Sequence, residues 1–366
     1  METKIISSIS ILIISMLLLI QCKTKTKTNS TTDTNTNSTV TVDVSQPFEK
    51  LSAYHLFKGT LNDLIPNDGV LPYDLITPLF TDYAHKARFV WMPKGETAKY
   101  VKDEALDFPV GTVLIKNFYY PIDERDESKG RRIIETRLLI KQADKWEAFP
   151  YIWNDEQTDA TLEIVGGTLP VSWINKAGKK MDIAYVVPNK NECKNCHNVK
   201  NVLTPIGPKV RNLNCDFAYT DGTMNQLEKW TSVGYLTGFV PADNIHNKLA
   251  KWNDETSGSL EERAKSYLEI NCAHCHRPEG NANTTGLFLQ LSEKNKEAWG
   301  IMKSPVAAGS GSGDRLYDVV PSKPDESILV YRMEHNDPQI RMPELGRSVV
   351  HQEGVDLVKA WIASMK

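Results

Sequence analysis

Two pentapeptides carry the same chemistry. CKNCH (Cys193 to His197) and CAHCH (Cys272 to His276) each place two thiols on either side of two residues, with a histidine directly behind. This is the attachment spacing of haem c. Two thiols add across the two vinyl groups of haem as thioethers, and the next residue turns its imidazole to the iron as proximal ligand. The residues therefore point to two covalently bound haem c groups, held by Cys193, Cys196, Cys272 and Cys275, with His197 and His276 as iron ligands. Three other chemistries use paired cysteines. Structural zinc takes C-x-x-C twice but needs no histidine after the second cysteine. A thioredoxin-like dithiol opens a helix that follows a strand, whereas here a helix leads into Cys272 and RPEGN (Arg277 to Asn281) breaks structure after it. Two plain disulfides would leave both histidines unexplained.

Axial ligation asks for more residues. RMPELG (Arg341 to Gly346) puts Met342 in a methionine–proline loop before the last helix, with Met333 and His335 just upstream. A thioether ligand favours Fe(II), so His/Met ligation raises the potential. No such loop follows His197. The candidates there are Met224, His246 and Met181; the alternative is an open distal side, where a haem enzyme would bind its substrate. Isolated His55 and His85 read as structural or surface residues. His274 reads as a spacer and Cys215 as a small buried hydrophobe.

The elements that must position these groups are legible in outline. The chain has 366 residues, net charge −3 and 40% hydrophobic residues, which gives no electrostatic footprint for nucleic acid and enough apolar content for a core. Residues 1–22 read as a signal peptide ending in LIQC (Leu19 to Cys22), a lipobox-like stretch that makes Cys22 the acylated residue. Residues 23–46, low in core-forming residues, read as a flexible tether. From 47 to 188 the pattern is β: GTVLIKNFYYP (Gly111 to Pro121), a hairpin from Arg131 to Asn154 turning near Ala143 and Asp144, and a second from Val171 to Pro188 turning at Ala177 and Gly178. This predicts a β sandwich or barrel, which we take as a surface for docking a partner. From 189 helical segments replace the strands. One covers Met224 to Leu236. Another starts at Ser259, whose capping-box partner is Glu262. A third carries the stripe Val358, Trp361, Ile362 and Met365. The expected fold class is α+β multidomain: an all-β domain (47–188), then two mainly α cytochrome c-like haem segments (189–257 and 258–366).

The stretches PYDLITPLFTDYAHKARFVWMP, FPVGTVLIKNFYYP, ETRLLIKQADKWEAFPYIWN, CKNCHNVKNVLTPIGPKVRNLN, YLEINCAHCHRPEG, VVPSKPDESILVYRM and RMPELG resemble a family of exported bacterial dihaem c-type cytochromes with an N-terminal β domain. The resemblance spans about Leu71 to Lys366. It implies the same four cysteine attachments, His197 and His276 as iron ligands, and Met342 at the C-terminal Met-Pro position. It also implies an exported parallel β-helix protein as a partner. Cys215 departs from it, standing after RNLN where the family would carry a charged residue. The expected function is one-electron transfer between redox partners by a lipoprotein anchored in the periplasm or cell envelope. The alternatives are a haem-dependent oxidoreductase working at an open first haem, and a zinc-binding protein without haem.

Overall fold

The structure is a computed structural model and describes residues 38–366. The signal peptide, Cys22 and residues 23–37 of the tether lie outside the described residues. Alternating side chains in the β-rich stretches build one antiparallel sheet in chain order: β1 (Val70–Tyr73), β2 (His85–Trp91), β3 (Val113–Pro121), β4 (Arg131–Lys141), β5 (Trp146–Trp153) and β6 (Ala160–Leu162). Because side chains alternate with period two, each strand feeds two cores. Val113, Ile115, Leu138, Ile140 and Tyr151 face one side and pack on Leu51, Tyr54 and Leu56. Val40, from the end of the expected tether, joins this core. Leu114, Trp146 and Ala148 face the other side and pack on Leu213, Leu227 and Trp230. Each fully buried side chain of this size contributes ~1.5–3 kcal/mol.

Farther along that second face, Phe118 and Tyr120 meet Trp173 and Tyr185 of a separate hairpin, β7 (Gly167–Ile174) and β8 (Lys180–Val187). Its turn holds Gly178 at φ +78°, against the Arg125 guanidinium. Both hairpins form where the sequence places them.

The helices are α1 (Lys190–Cys196), α2 (Val210–Leu213), α3 (Gln226–Ser232), α4 (Leu260–Asn271), α5 (Ile328–Glu334) and α6 (Gln352–Ser364). The Ser259–Glu262 capping box is present at α4. A third core joins Leu268 of α4, Val330 of α5, and Val358 and Trp361 of α6.

The expected fold class is corrected by this architecture. The chain is mainly β, 27% strand and 22% helix, with six short helices among the described residues. It does not contain two mainly α cytochrome c-like segments, and the β region is one six-stranded sheet that does not close into a barrel, with the β7–β8 hairpin and the short pair Phe57–Lys58 and Ile65–Pro66 as separate two-stranded sheets. The physical reason is visible in the stretch after Asn189. It forms small hairpins (Asn198–Val199 with Val202–Leu203, Asp216–Tyr219 with Gly222–Asn225) and buries its apolar residues on the sheet instead of on a helical partner.

Candidate functional site

The first motif is set by its helix. Asn189 caps α1, with Glu192 completing a capping box, so the helix is fixed at its start and ends at Cys196. His197 then caps it, its N–H donating to the Cys193 carbonyl at 3.0 Å. Lys200 and Asn201 adopt left-handed backbone (φ 51° and 66°) and turn the chain back. That brings the Thr204 carbonyl to His197, which donates to it from Nδ1 at 3.0 Å. A carbonyl on one ring nitrogen fixes the tautomer and leaves Nε2 as the available ligand. Burial pushes the His197 pKa down to about 4, so the ring is neutral, the form that binds a metal.

The second motif follows α4 directly. Cys272 caps that helix, and the N–H groups of Cys275 and His276 both donate to the Cys272 carbonyl. The Cys275 carbonyl in turn accepts from Arg277 and Ala282. Gly280 passes so close that a Cβ there would lie 2.3 Å from the Cys275 carbonyl oxygen. Arg277 is buried and clamped by Glu104 and Glu279. Burial also pushes His276 down to about 4. The Leu287 carbonyl faces its ring and acts against that shift, but not in hydrogen-bonding geometry: Nδ1 is buried without a partner.

The two motifs touch. Cys275 Sγ donates to the Asn195 carbonyl (3.6 Å), as does Asn281 Nδ2 (2.6 Å). Lys200 N–H donates to the Glu279 carbonyl (3.0 Å). The neighbouring Cys275 thiol, and after it the His274 ring, hold the Cys196 thiol well below its usual range. His274, expected as a spacer, borders the cleft and donates from Nδ1 to the Ile270 carbonyl at 3.3 Å.

Both motifs reach one cleft of about 150 Å³: the first through Cys193, Cys196 and His197, the second through Cys272 and His274, with Met342 opposite and with Cys275 and His276 outside its lining. Met342 is presented by a loop that Arg347 organises. The buried guanidinium donates to the carbonyls of Met342, Arg332, Met333 and His335. Asp82, from the loop before β2, accepts from the Ser348 and Val349 N–H groups. Met333 also borders the cleft.

Other expected residues stand apart from it. Met224 lies in a surface hairpin, Met181 pairs with Trp173 in β7–β8, and His246 is exposed; none borders the cleft. His55 is exposed, His85 faces Glu124 at 3.5 Å, and His335 is held by the Tyr331 carbonyl. Cys215 accepts from Gln226 at 3.1 Å, away from both motifs. Sequence reading missed Arg88, Lys116 and Arg137 from the sheet, and also Arg347 and His351. The available signal was Lys116 itself, a cation at an inward position of GTVLIKNFYYP.

No three His, Cys, Asp or Glu side chains converge as metal ligands among the described residues. The five described cysteines are free thiols. No protein family, curated protein or solved structure matches this chain.

Proposed function

We propose that the chain is an exported dihaem c-type cytochrome that passes single electrons between redox partners. One observation carries the reading: two C-x-x-C-H motifs, far apart in sequence, abut and both reach a single cleft. Cys193 and Cys196 would hold one haem and Cys272 and Cys275 the other. His197, His276 and Met342 would be the axial ligands. When bound, haem supplies the one-electron iron couple. The chain orients it. The Thr204 carbonyl sets the His197 ring, the orphan Nδ1 of buried His276 marks a ring that still lacks a partner, and Arg347 holds the Met342 loop. Closed structural zinc needs four converging donors, and the donor set described above offers no such group.

Cys22 would be the lipid attachment site, anchoring the protein in the cell envelope on the periplasmic side. Its partners would be redox proteins, among them an exported parallel β-helix protein. No described helix is long and apolar enough to cross a membrane.

A second reading, an oxidoreductase at an open first haem, is favoured by one fact: Met224, His246 and Met181 all lie off the cleft. A pyridine haemochrome assay on the mature protein tests both readings. Two haems per chain are expected, falling to one in Cys193→Ser/Cys196→Ser. A high-spin band that responds to carbon monoxide selects the enzyme, and no covalent haem overturns both.

A further inference from the structure

Three cations cross the floor of the cleft in a straight row. Arg88 of β2 stands opposite Lys116 of β3, and Lys116 opposite Arg137 of β4. Directly opposed residues share a face, and all three border the cleft. The row beside them on that face is apolar, Leu114, Leu139 and Ala148. On its other side, Phe118 carries Lys116 Nζ at 4.7 Å and the Arg137 guanidinium at 4.5 Å over its ring. Lys86 adds a fourth cation two residues before Arg88.

The protein's own anions do not balance this row. Asp74 takes one Arg88 nitrogen, at 2.5 Å, from a largely exposed position. Glu135 takes Arg137 and also accepts from Tyr185. Lys116 makes no ion pair among the described residues, and burial beside Arg88, Lys86 and Arg137 pushes its pKa well down, so an anion in the cleft is what would hold it charged. Arg88 has a side chain only 4% exposed, and its Nε and Nη2 are buried without a partner. Like charges directly opposed across a sheet destabilise it, and buried guanidinium donors call for acceptors. A row like this is stable when an acceptor-rich anion completes it.

We propose that Arg88, Lys116 and Arg137 form an anion site in the cleft, recognising a molecule with two carboxylates or an equivalent dianion. The row spans two strand spacings, about 10 Å, so one carboxylate reaches only part of it. Arginine supplies forked donors for paired oxygens and lysine a central point charge. The row lies beside the first motif: the charge of Lys116 reaches His197 and that of Arg137 reaches Cys193. Two sources share this chemistry. One is the pair of propionates of a haem held at Cys193 and Cys196, which rests on the proposed function. The other is a diffusible dianion, which does not.

The test uses the mature protein as purified, with haem content read on the same sample. Thermal melts are run against inorganic sulfate and malonate, with chloride at matched ionic strength as control. A diffusible dianion gives a saturable rise in Tm in wild type that Lys116→Gln abolishes. Haem carboxylates give no such rise in haem-loaded protein, but Lys116→Gln then shifts the propionate-bending bands in resonance Raman spectra and lowers one midpoint potential. If the sample holds no haem, the proposed function has failed and the melts alone decide the site. The site is overturned if wild type shows no anion-specific stabilisation and, in loaded protein, Lys116→Gln or the milder Lys116→Arg/Arg88→Lys leaves the bands and both potentials unchanged. A Lys116→Gln protein that melts higher than wild type under every condition also overturns it.

Discussion

At the scale of single residues, the contact between Cys196 and Cys275 is the most exposed to test. The two thiols come from different motifs and lie close enough that each shifts the other's pKa. Haem attachment would consume both. In protein made without haem maturation they remain, with Cys196 biased toward the thiolate that attacks disulfides. Oxidised glutathione is therefore expected to produce a Cys196–Cys275 crosslink ahead of any bond within either motif. Peptide mapping by mass spectrometry reads it; Cys193–Cys196 as the first product would refute the geometry. His351 gives a second prediction. It stacks on Phe80 with centroids 4.1 Å apart and shares a 3.0 Å hydrogen bond with Tyr267. Burial pushes its pKa down to about 4, against the pull of Glu353. The folded state thus holds the ring neutral where the unfolded chain, near 6.5, takes a proton. Stability from this group is complete above about pH 6.5 and is lost as pH falls toward 4, by at most ~3 kcal/mol. Urea melts at pH 7 and pH 5 should separate wild type from His351→Phe, which loses ~1–2 kcal/mol less over that interval; parallel losses would exclude His351 as the source.

At the scale of elements, legibility depended on how local the signal was. The β4–β5 and β7–β8 hairpins and the Ser259–Glu262 start of α4 were readable, because turns and caps are fixed by neighbours within a few residues. The fate of residues 189–240 was not. Leu203, Val210, Leu213 and Trp230 follow no single period, and what decides their structure is the distant sheet face they cover. The cysteines and histidines of both motifs were readable by type and spacing. The contact between the motifs was not, since Asn195, Asn281 and Glu279 carry no pattern of their own. The second motif's loop offers the sharpest test at this scale. Gly280→Ala puts a methyl group against the Cys275 carbonyl at 2.3 Å, which the backbone must move to relieve. The loop packs tightly enough for a cost of ~2–4 kcal/mol. Under the proposed dihaem reading, haemochrome content per chain should fall from two toward one in the variant while far-ultraviolet circular dichroism stays native. Full loading would show that the loop is more yielding than its packing implies.

At the scale of the molecule, the sheet and the later residues are not separable. Tyr73, Val90, Leu114 and Trp146 share one core with Leu213, Trp230 and Phe239. Gln226 accepts from the Asp74 N–H, Asn212 from Thr77, and Asn271 from Phe80. Leu236–Thr237 extends Ala98–Lys99 as a parallel pair, and Glu104 reaches Arg277 behind the second motif. The described residues belong to one compact unit. A β region that only docked a partner would leave the cleft intact on removal, yet here it supplies the floor, through Arg88, Lys116, Arg137 and Leu139. Cutting the chain near Pro188 would uncover an apolar face and three basic side chains at once, and neither half would keep its core. The expected result is one calorimetric transition for the mature protein, with calorimetric and van't Hoff enthalpies in agreement. Limited proteolysis should likewise yield no persistent fragment beginning near residue 189. Two resolved transitions, or a stable folded C-terminal fragment holding both C-x-x-C-H motifs, would mean that the shared core contributes little and that the cleft belongs to the later residues alone.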